Sequence, residues 1–297
     1  MKQWSARLPV DFVSAAARDI SSSLKPNLHP AQENQVQYIM TSEELLNWLE
    51  KPKSGLLVIQ AETAPQTQAN AISLSSAFLA QSLRESHDNP VLYHSCGLRT
   101  EEGPIGAETS GSIALINSLN SQLAHQLRSH TDLSFIGTDK YRKRSQTHLR
   151  PALKLLKRLV TEVPENESLF IIIDSLSRLS GSDAESEAKA IKTISRLVNQ
   201  STDQGPIVKI LMTDLLPEHS RLHQQAAAGS DELYVPDRVD VGGHGLNTEY
   251  LREVSGASIG RFEARRRAER SPSGSGDSSE ESGSSDSDVD TSDDESD

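Results

Sequence analysis

Five short runs rich in large apolar residues divide the chain, and this pattern is typical of strands that helices cover on both faces. The runs are Leu56–Gln60, Val91–Cys96, Leu169–Asp174, Ile207–Thr213 and Glu232–Val235. The longer stretches between them carry apolar residues at spacings of three and four, which predicts amphipathic helices. Strands that alternate with helices predict a parallel sheet in the middle of three layers. The pattern therefore predicts an α/β fold with a five-stranded parallel sheet.

Two helices are predicted before the first strand. Apolar residues recur at helical spacing over Val10–Leu24, and Pro26 and Pro30 are expected to end that helix, with a loop after them. Thr41 precedes Glu44 by three residues, which is the spacing of a capping box. A second helix is therefore expected to begin at Thr41.

The later helices follow similar signals. Ser182 and Glu185 form another capping-box pair. Gly256 and Gly260 predict a loosened chain end, and Arg261–Arg270 predicts a short basic helix. The remaining helices are predicted near residues 69–85, 116–127, 148–163 and 217–228.

The acidity of the chain belongs to its last segment. The 297 residues carry a formal net charge of −12, yet residues 271–297 contain ten acidic residues and no Lys or Arg, so the rest is near −2. This segment is almost entirely Ser, Gly, Asp and Glu, so it cannot bury apolar surface and is predicted to be a disordered acidic tail. The predicted organisation is an N-terminal helical arm (1–40), an α/β domain (41–240), a linker with a basic segment (241–270) and the tail (271–297).

The tail also contains candidate phosphorylation sites for acidophilic kinases of the casein kinase 2 type. An acidic residue lies three positions after each of Ser278, Ser285, Ser287, Thr291 and Ser292. Each phosphate would add a charge of roughly −1.5 to −2. Such a tail could bind basic partners such as histones, fold back on Arg261–Arg270, or act only as a solubilising segment.

Asp174 is the first candidate functional residue, because it ends a buried strand at the edge where open α/β sheets bind ligands. In P-loop NTPases such an Asp holds Mg²⁺, and the loop after the first strand reads G-x-x-x-x-G-K-[ST]. Here residues 61–68 read Ala-Glu-Thr-Ala-Pro-Gln-Thr-Gln, which puts Thr67 at the lysine position. Glu62 also places a negative charge where a triphosphate would lie. Nucleotide hydrolysis is therefore expected to be lost.

Three interpretations of Asp174 are open at this point. It could cap a turn, retain a role in binding Mg²⁺ or nucleotide together with Thr67, or make an unrelated polar contact. Active P-loop enzymes usually have a second acidic residue after this Asp, whereas this chain has Ser175. If nucleotide bound without the lysine, substitutes would be needed, for which the candidates are Arg99, Arg178, Thr213 and Asp214.

With these strands placed, residues 41–240 resemble short fungal proteins related to the NACHT/STAND P-loop domains, including the nephrocystin type. The resemblance rests on the strand patterns, including Val91–Thr100 with its Ser-Cys-Gly-Leu-Arg-Thr exit, and not on catalytic residues. It implies the strand order 5-1-4-3-2, and this sequence departs from the family at the phosphate loop, residues 61–68. Full-length relatives act as ATP- or GTP-driven oligomerisation switches.

These observations lead to three functional hypotheses. The first is a non-catalytic P-loop-like module for protein interaction or scaffolding, for which no cofactor is expected. The second is a divergent STAND-type switch that binds ATP or GTP with Mg²⁺. The third makes the acidic tail the functional element, with basic proteins as its partners.

The other candidates carry weaker signals. Lys140–Arg144 and Arg261–Arg270 could be nuclear-import or nucleic-acid patches, or solvated segments, and no specific nucleic acid is expected because the body is not basic. Cys96 and His94 could form a nucleophile and base, although a buried structural thiol is the simpler interpretation. His219 and His223 have no further ligand nearby in sequence, so no metal site is predicted.

The location of the protein is predicted from what the sequence lacks. A single cysteine fits a reducing compartment. No apolar run of about 18 residues and no secretory signal is seen, so no membrane span is expected. An intracellular location is predicted, and the basic clusters with the phosphorylatable tail favour the nucleus over the cytoplasm.

Overall fold

The computed structural model describes residues 4, 8, 10–25, 28–63, 70–86, 89–100, 110–138, 141, 143–199, 205–215, 230–239 and 246–270. Within them the strands are β1 (Gly55–Ala61), β2 (Val91–Ser95), β3 (Ser168–Asp174), β4 (Ile207–Asp214) and β5 (Asp231–Val235). All neighbouring pairs are parallel and the order is β2-β3-β4-β1-β5. Read from the other edge, this is 5-1-4-3-2, so the predicted sheet and its order are confirmed.

Helices cover both faces of the sheet. They are α1 (Phe12–Ser23), α2 (Pro30–Thr41), α3 (Glu43–Glu50), α4 (Ala71–Ser86), α5 (Gly111–Leu127), α6 (Arg144–Thr147), α7 (Leu149–Val160), α8 (Ala184–Ser195) and α9 (Thr248–Arg270). One apolar core joins α5, α7 and α8 to the sheet. The other joins α2, α3, α4 and α9 to the opposite face. The fold is therefore a three-layer α/β fold, as predicted. The helix predicted near 217–228 lies outside the described residues.

The loop predicted before residue 41 is instead a helix, α2, that begins at Pro30. Proline is suited to the first helical position because its φ is already helical and its missing N–H would have no partner there. His29 caps the helix, since its Nδ1 accepts from the Ala31 amide at 3.3 Å and its own amide donates to Gln32 Oε1 at 3.3 Å. The expectation that Pro30 ends a helix was wrong, because the same residue type also starts helices.

Both predicted capping boxes are displaced by one residue. Ser42, not Thr41, caps α3, and its hydroxyl accepts from the Leu45 amide at 3.3 Å. Asp183, not Ser182, caps α8. Neighbouring Ser, Thr and Asp residues can all cap a helix, so sequence spacing alone left the choice open.

Side chains of α5 satisfy the outer edge of β2, which is an edge strand. Gln122 accepts from the Tyr93 amide at 3.0 Å and donates to the Tyr93 carbonyl at 2.9 Å. Gln126 does the same with Val91, at 2.9 and 3.2 Å. The two glutamines, one helical turn apart, thus replace a neighbouring strand. α1 packs beside them against α4, α5 and β2.

The chain end is more ordered than predicted, because α9 is a helix of 23 residues that includes Gly256 and Gly260. Its buried residues Leu251, Ile259 and Phe262 belong to the core that contains α3 and α4. The predicted loosening at the glycines was therefore wrong, since apolar packing on one face holds the helix.

Part of the arginine cluster of α9 holds this helix to its neighbours. Arg261 and Arg265 form ion pairs with Glu50 at the end of α3, at 2.7 and 3.3 Å. Arg266 contacts Glu263 at 2.6 Å and the Ser168 hydroxyl at 3.0 Å. These arginines therefore have structural contacts.

A lysine is buried in the middle of the sheet. Lys209 on β4 is 1% exposed, and its amine donates to the Lys51 carbonyl at 2.6 Å and to the Trp48 carbonyl. The amine also lies 5.6 Å from the centre of the Trp48 ring and 5.5 Å from that of Phe262. Burial lowers the pKa of Lys209 to about 7. It therefore joins β4 to the end of α3 at the cost of desolvating a charge.

Candidate functional site

Asp174 lies at the carboxyl edge of the sheet and is fully buried. Ser73, in the first turn of α4, donates to both carboxylate oxygens at 3.0 Å. Ser95 at the end of β2 donates to Oδ2 at 2.9 Å, and Thr213 on β4 donates to Oδ1 at 3.0 Å. We call these four residues the Asp174 cluster. It connects α4 to three strands.

Neutral donors surround the carboxylate of Asp174. Within the described segments, no Lys or Arg forms an ion pair with it. Burial raises the pKa of Asp174 above 3.8, while the hydrogen bonds from the hydroxyls oppose that rise. The hydroxyls thus replace much of the hydration that a buried carboxylate loses.

The turn after Asp174 is also part of this edge. Ser175 has φ 58° and ψ 48°, in the left-handed region that residues other than glycine seldom adopt. Its amide donates to the Thr213 hydroxyl at 2.8 Å, and its own hydroxyl lies 3.2 Å from Ser73 Oγ. A Cβ on Gly97 would lie 3.3 Å from Ser175, so a side chain there would press on this turn. Sparsely populated conformations of this kind concentrate at functional sites.

Ser73 is the site residue that the sequence analysis missed. The P-loop motif, counted from β1, predicts the metal-binding hydroxyl at position 68, directly after Thr67. Thr67 lies outside the described residues. Ser73 is the α4 hydroxyl that contacts Asp174. If Ser73 is the hydroxyl residue of the P-loop motif, the lysine position directly before it is Ile72, which is buried. The available signal was Asn70, whose Oδ1 accepts from the Ser73 amide at 2.9 Å and marks the start of α4.

The chain that leaves β1 is held against the exit of β5. The Glu62 amide donates to the Val235 carbonyl at 2.9 Å. Glu62 Oε2 accepts from the Asp237 amide at 2.8 Å, and Thr63 donates to the Asp237 carboxylate at 2.7 Å. The first residues of the expected phosphate loop thus form contacts with β5 and the segment after it.

Arg99, a candidate substitute for the missing lysine, is buried beneath α1. Its Nε donates to Asp19 at 2.7 Å, and its guanidinium lies 5.8 Å from the centre of the Phe12 ring. Nη1 and Nη2 have no hydrogen-bond partner in the described part of the chain. Burial raises the pKa of Asp19, and the charge of Arg99 opposes that rise.

The other candidate substitutes lie at the same edge. Thr213 belongs to the Asp174 cluster, Asp214 is buried at the end of β4, and Arg178 ends a short 3₁₀ turn after β3. The structure therefore brings Thr213 to Asp174 directly and places Asp214 one residue further along β4.

Cys96 and His94 do not form a nucleophile and base. Both are buried, and Cys96 belongs to the apolar core of α5, α7 and α8. Burial raises the pKa of the Cys96 thiol and lowers the pKa of His94, so both groups favour their neutral forms. The interpretation of Cys96 as a structural thiol fits this environment.

Several predicted features lie outside the described residues: the tail with its five phosphorylation candidates, the His219 and His223 pair, and part of Lys140–Arg144. They stay predictions. Over the described ranges, no group of three or more His, Cys, Asp and Glu side chains is arranged to hold a metal ion. Among the same residues, no helix has the length and apolarity needed to cross a membrane.

Comparison with known proteins adds a structural likeness. No protein-family model matches the sequence, and no curated protein matches it. Among solved structures, the Walker-type ATPase PABY2304 of Pyrococcus abyssi is similar over 82% of this chain and 71% of its own, with 18% sequence identity and a TM-score of 0.40.

Proposed function

We propose that the protein is a non-catalytic P-loop-like module that works through protein contacts, and that nucleotide hydrolysis has been lost. The observation that carries the proposal is the pair Ile72 and Ser73. In P-loop enzymes a lysine stands immediately before the hydroxyl that binds Mg²⁺, and it reaches the β- and γ-phosphates. A buried isoleucine at that position supplies neither charge nor hydrogen bonds.

The surroundings of Asp174 also fit Mg²⁺ poorly. A metal held between Ser73 and Asp174 would need carboxylate lone pairs directed at it, and Mg²⁺ keeps near-ideal octahedral geometry with several waters. Asp174 is fully buried, and both of its oxygens already accept hydrogen bonds. This supports a structural role for the Asp174 cluster.

The proposal is tested by titrating the full chain with ATP and GTP, with and without Mg²⁺, in a calorimeter, and by measuring phosphate release. Ser73→Ala removes a hydroxyl from the Asp174 cluster. Ser75→Ala is its control, because Ser75 lies on the same helix and its hydroxyl donates to the Ala71 carbonyl of that helix. We expect no binding at millimolar nucleotide. Micromolar Mg²⁺-dependent binding that Ser73→Ala abolishes and Ser75→Ala preserves would overturn the proposal.

The divergent switch is the second candidate, and the buried Arg99 favours it. A guanidinium whose Nη groups find no hydrogen-bond partner among the described residues could hold phosphate oxygens in place of the lysine. Nucleotide binding that is lost in Arg99→Met but kept in Arg84→Met, where a partly buried arginine is changed, would support this candidate. Absence of binding in the wild-type chain would exclude it.

A further inference from the structure

A cavity of about 900 Å³ lies between the N-terminal ends of α5, α7 and α8, with α6 beside them. Its volume falls within the usual range of about 300–1,000 Å³ for small-molecule sites. None of the Asp174 cluster lines it. An inference about this cavity therefore does not rest on the proposed function.

Positively charged side chains line the cavity. Arg144, Arg150 and Lys189 line it, and in the described part of the structure none of the three forms an ion pair. Asp183 and Glu185 also line it, but Asp183 is engaged at the start of α8, where it accepts from an amide at 2.8 Å and a hydroxyl at 2.9 Å. With three cationic side chains and two carboxylates, the lining has an excess of one positive charge.

Backbone groups form part of the wall. Gly111 and Gly181 both have positive φ, of 82° and 81°, and a Cβ on Gly111 would lie 3.0 Å from the Gly181 carbonyl. The Ser112 amide donates to the Ser182 hydroxyl at 2.6 Å. His148, at the start of α7, makes no side-chain cap bond to the first amides of that helix. Amides at a helix start attract negative charge.

Ile113, Leu149 and Pro151 form an apolar part of the wall. We propose that this cavity binds a small organic anion, in which a phosphate or carboxylate group contacts Arg144, Arg150 and Lys189 while an apolar body packs against the apolar wall. The cations and the start of α7 favour the charged group, and the apolar residues favour a ring or short chain over a bare ion. Nothing in this arrangement needs a metal.

The test is calorimetric titration of the full chain, at low salt, with phenyl phosphate, inorganic phosphate and benzyl alcohol. We expect phenyl phosphate to bind, inorganic phosphate to bind more weakly, and benzyl alcohol not to bind. The triple variant Arg144→Gln/Arg150→Gln/Lys189→Gln should lose about ten-fold or more in affinity for phenyl phosphate, because charged hydrogen bonds are lost.

Lys154→Gln is the matched control, since Lys154 is an exposed residue of α7 that does not line the cavity. It should bind phenyl phosphate like the wild type. Arg144 and Arg150 are exposed, so the triple variant should keep the wild-type melting temperature, which is measured alongside. The proposal is overturned if phenyl phosphate gives no heat, if the triple variant binds it as tightly as the control, or if benzyl alcohol binds equally well.

Discussion

Replacing Lys209 with methionine should change how the stability of the protein depends on pH. Burial lowers the pKa of Lys209 from its ordinary 10.5 to about 7 in the folded chain. In the unfolded chain the amine regains its ordinary pKa. Between these two pH values the unfolded chain binds more protons than the folded chain, so the contribution of Lys209 to stability rises with pH. Methionine keeps the apolar stem of the side chain and removes the amine that titrates.

The size of the effect follows from the width of this interval. Each pH unit in which only the unfolded chain holds the proton changes the free energy of unfolding by about 1.4 kcal/mol. Since the Lys209 side chain is buried, no discount for solvent screening applies. Between about pH 7 and pH 9.5 the stability of Lys209→Met relative to wild type should fall by roughly 3 kcal/mol.

Urea denaturation measures the difference in free energy of unfolding between the wild type and Lys209→Met at several pH values from 6.5 to about 9.5. Titrations that both chains share cancel in this difference. Lys154→Met, at an exposed site on α7, should show a constant difference from wild type. A constant difference for Lys209→Met as well would refute the reasoning. It would mean that the carbonyls of Trp48 and Lys51 keep the amine charged in the folded protein.

Three other variants test separate contacts. The double variant Gln122→Ala/Gln126→Ala should lower the free energy of unfolding by about 2–4 kcal/mol, because edge groups of β2 lose their partners. It should also associate through this open edge, which light scattering detects. Unchanged stability and a monomeric chain would contradict this. Asp19→Ala should lower the free energy of unfolding by about 3–5 kcal/mol, because it leaves Arg99 buried without its counterion, and a loss below about 1 kcal/mol would show that α1 does not hold Arg99 in solution. Cys96 should react with a thiol reagent only on unfolding, since its thiol is buried and neutral; rapid labelling of the native chain would contradict this.

The strands were predictable because covering both faces of a strand demands uninterrupted apolar residues. The run before Asp174 shows this, and the observed β3 differs from it by one residue. β4 was found in spite of Lys209, because the apolar residues around it outweigh one charge. The burial of Lys209 had no signal in sequence, because the carbonyls that its amine contacts lie about 160 residues away, on α3 and just after that helix.

The wrong and missing predictions have physical causes. In each case, alternative structures fit the local sequence equally well. Pro30 can end one helix or start another, and only the packing of the segment against β5 and α4 decides between them. Ser73 was missed because counting a motif assumes a loop of fixed length, whereas the hydroxyl that contacts Asp174 lies five positions later. The ion pair between Arg99 and Asp19 joins residues 80 positions apart, so no local pattern encodes it.

Asp174 can persist in this chain without any nucleotide chemistry, because the fold itself uses it. Its carboxylate accepts from three hydroxyls on α4, β2 and β4, so replacing it would leave several buried donors without acceptors. A loss of function in an Asp174 variant would therefore report on folding as much as on binding. Ser73→Ala is the sharper change, since it removes one donor, leaves two in place and should cost only about 1–2 kcal/mol. An effect of that variant on ligand binding, while the chain is still folded, would reveal chemistry at this edge.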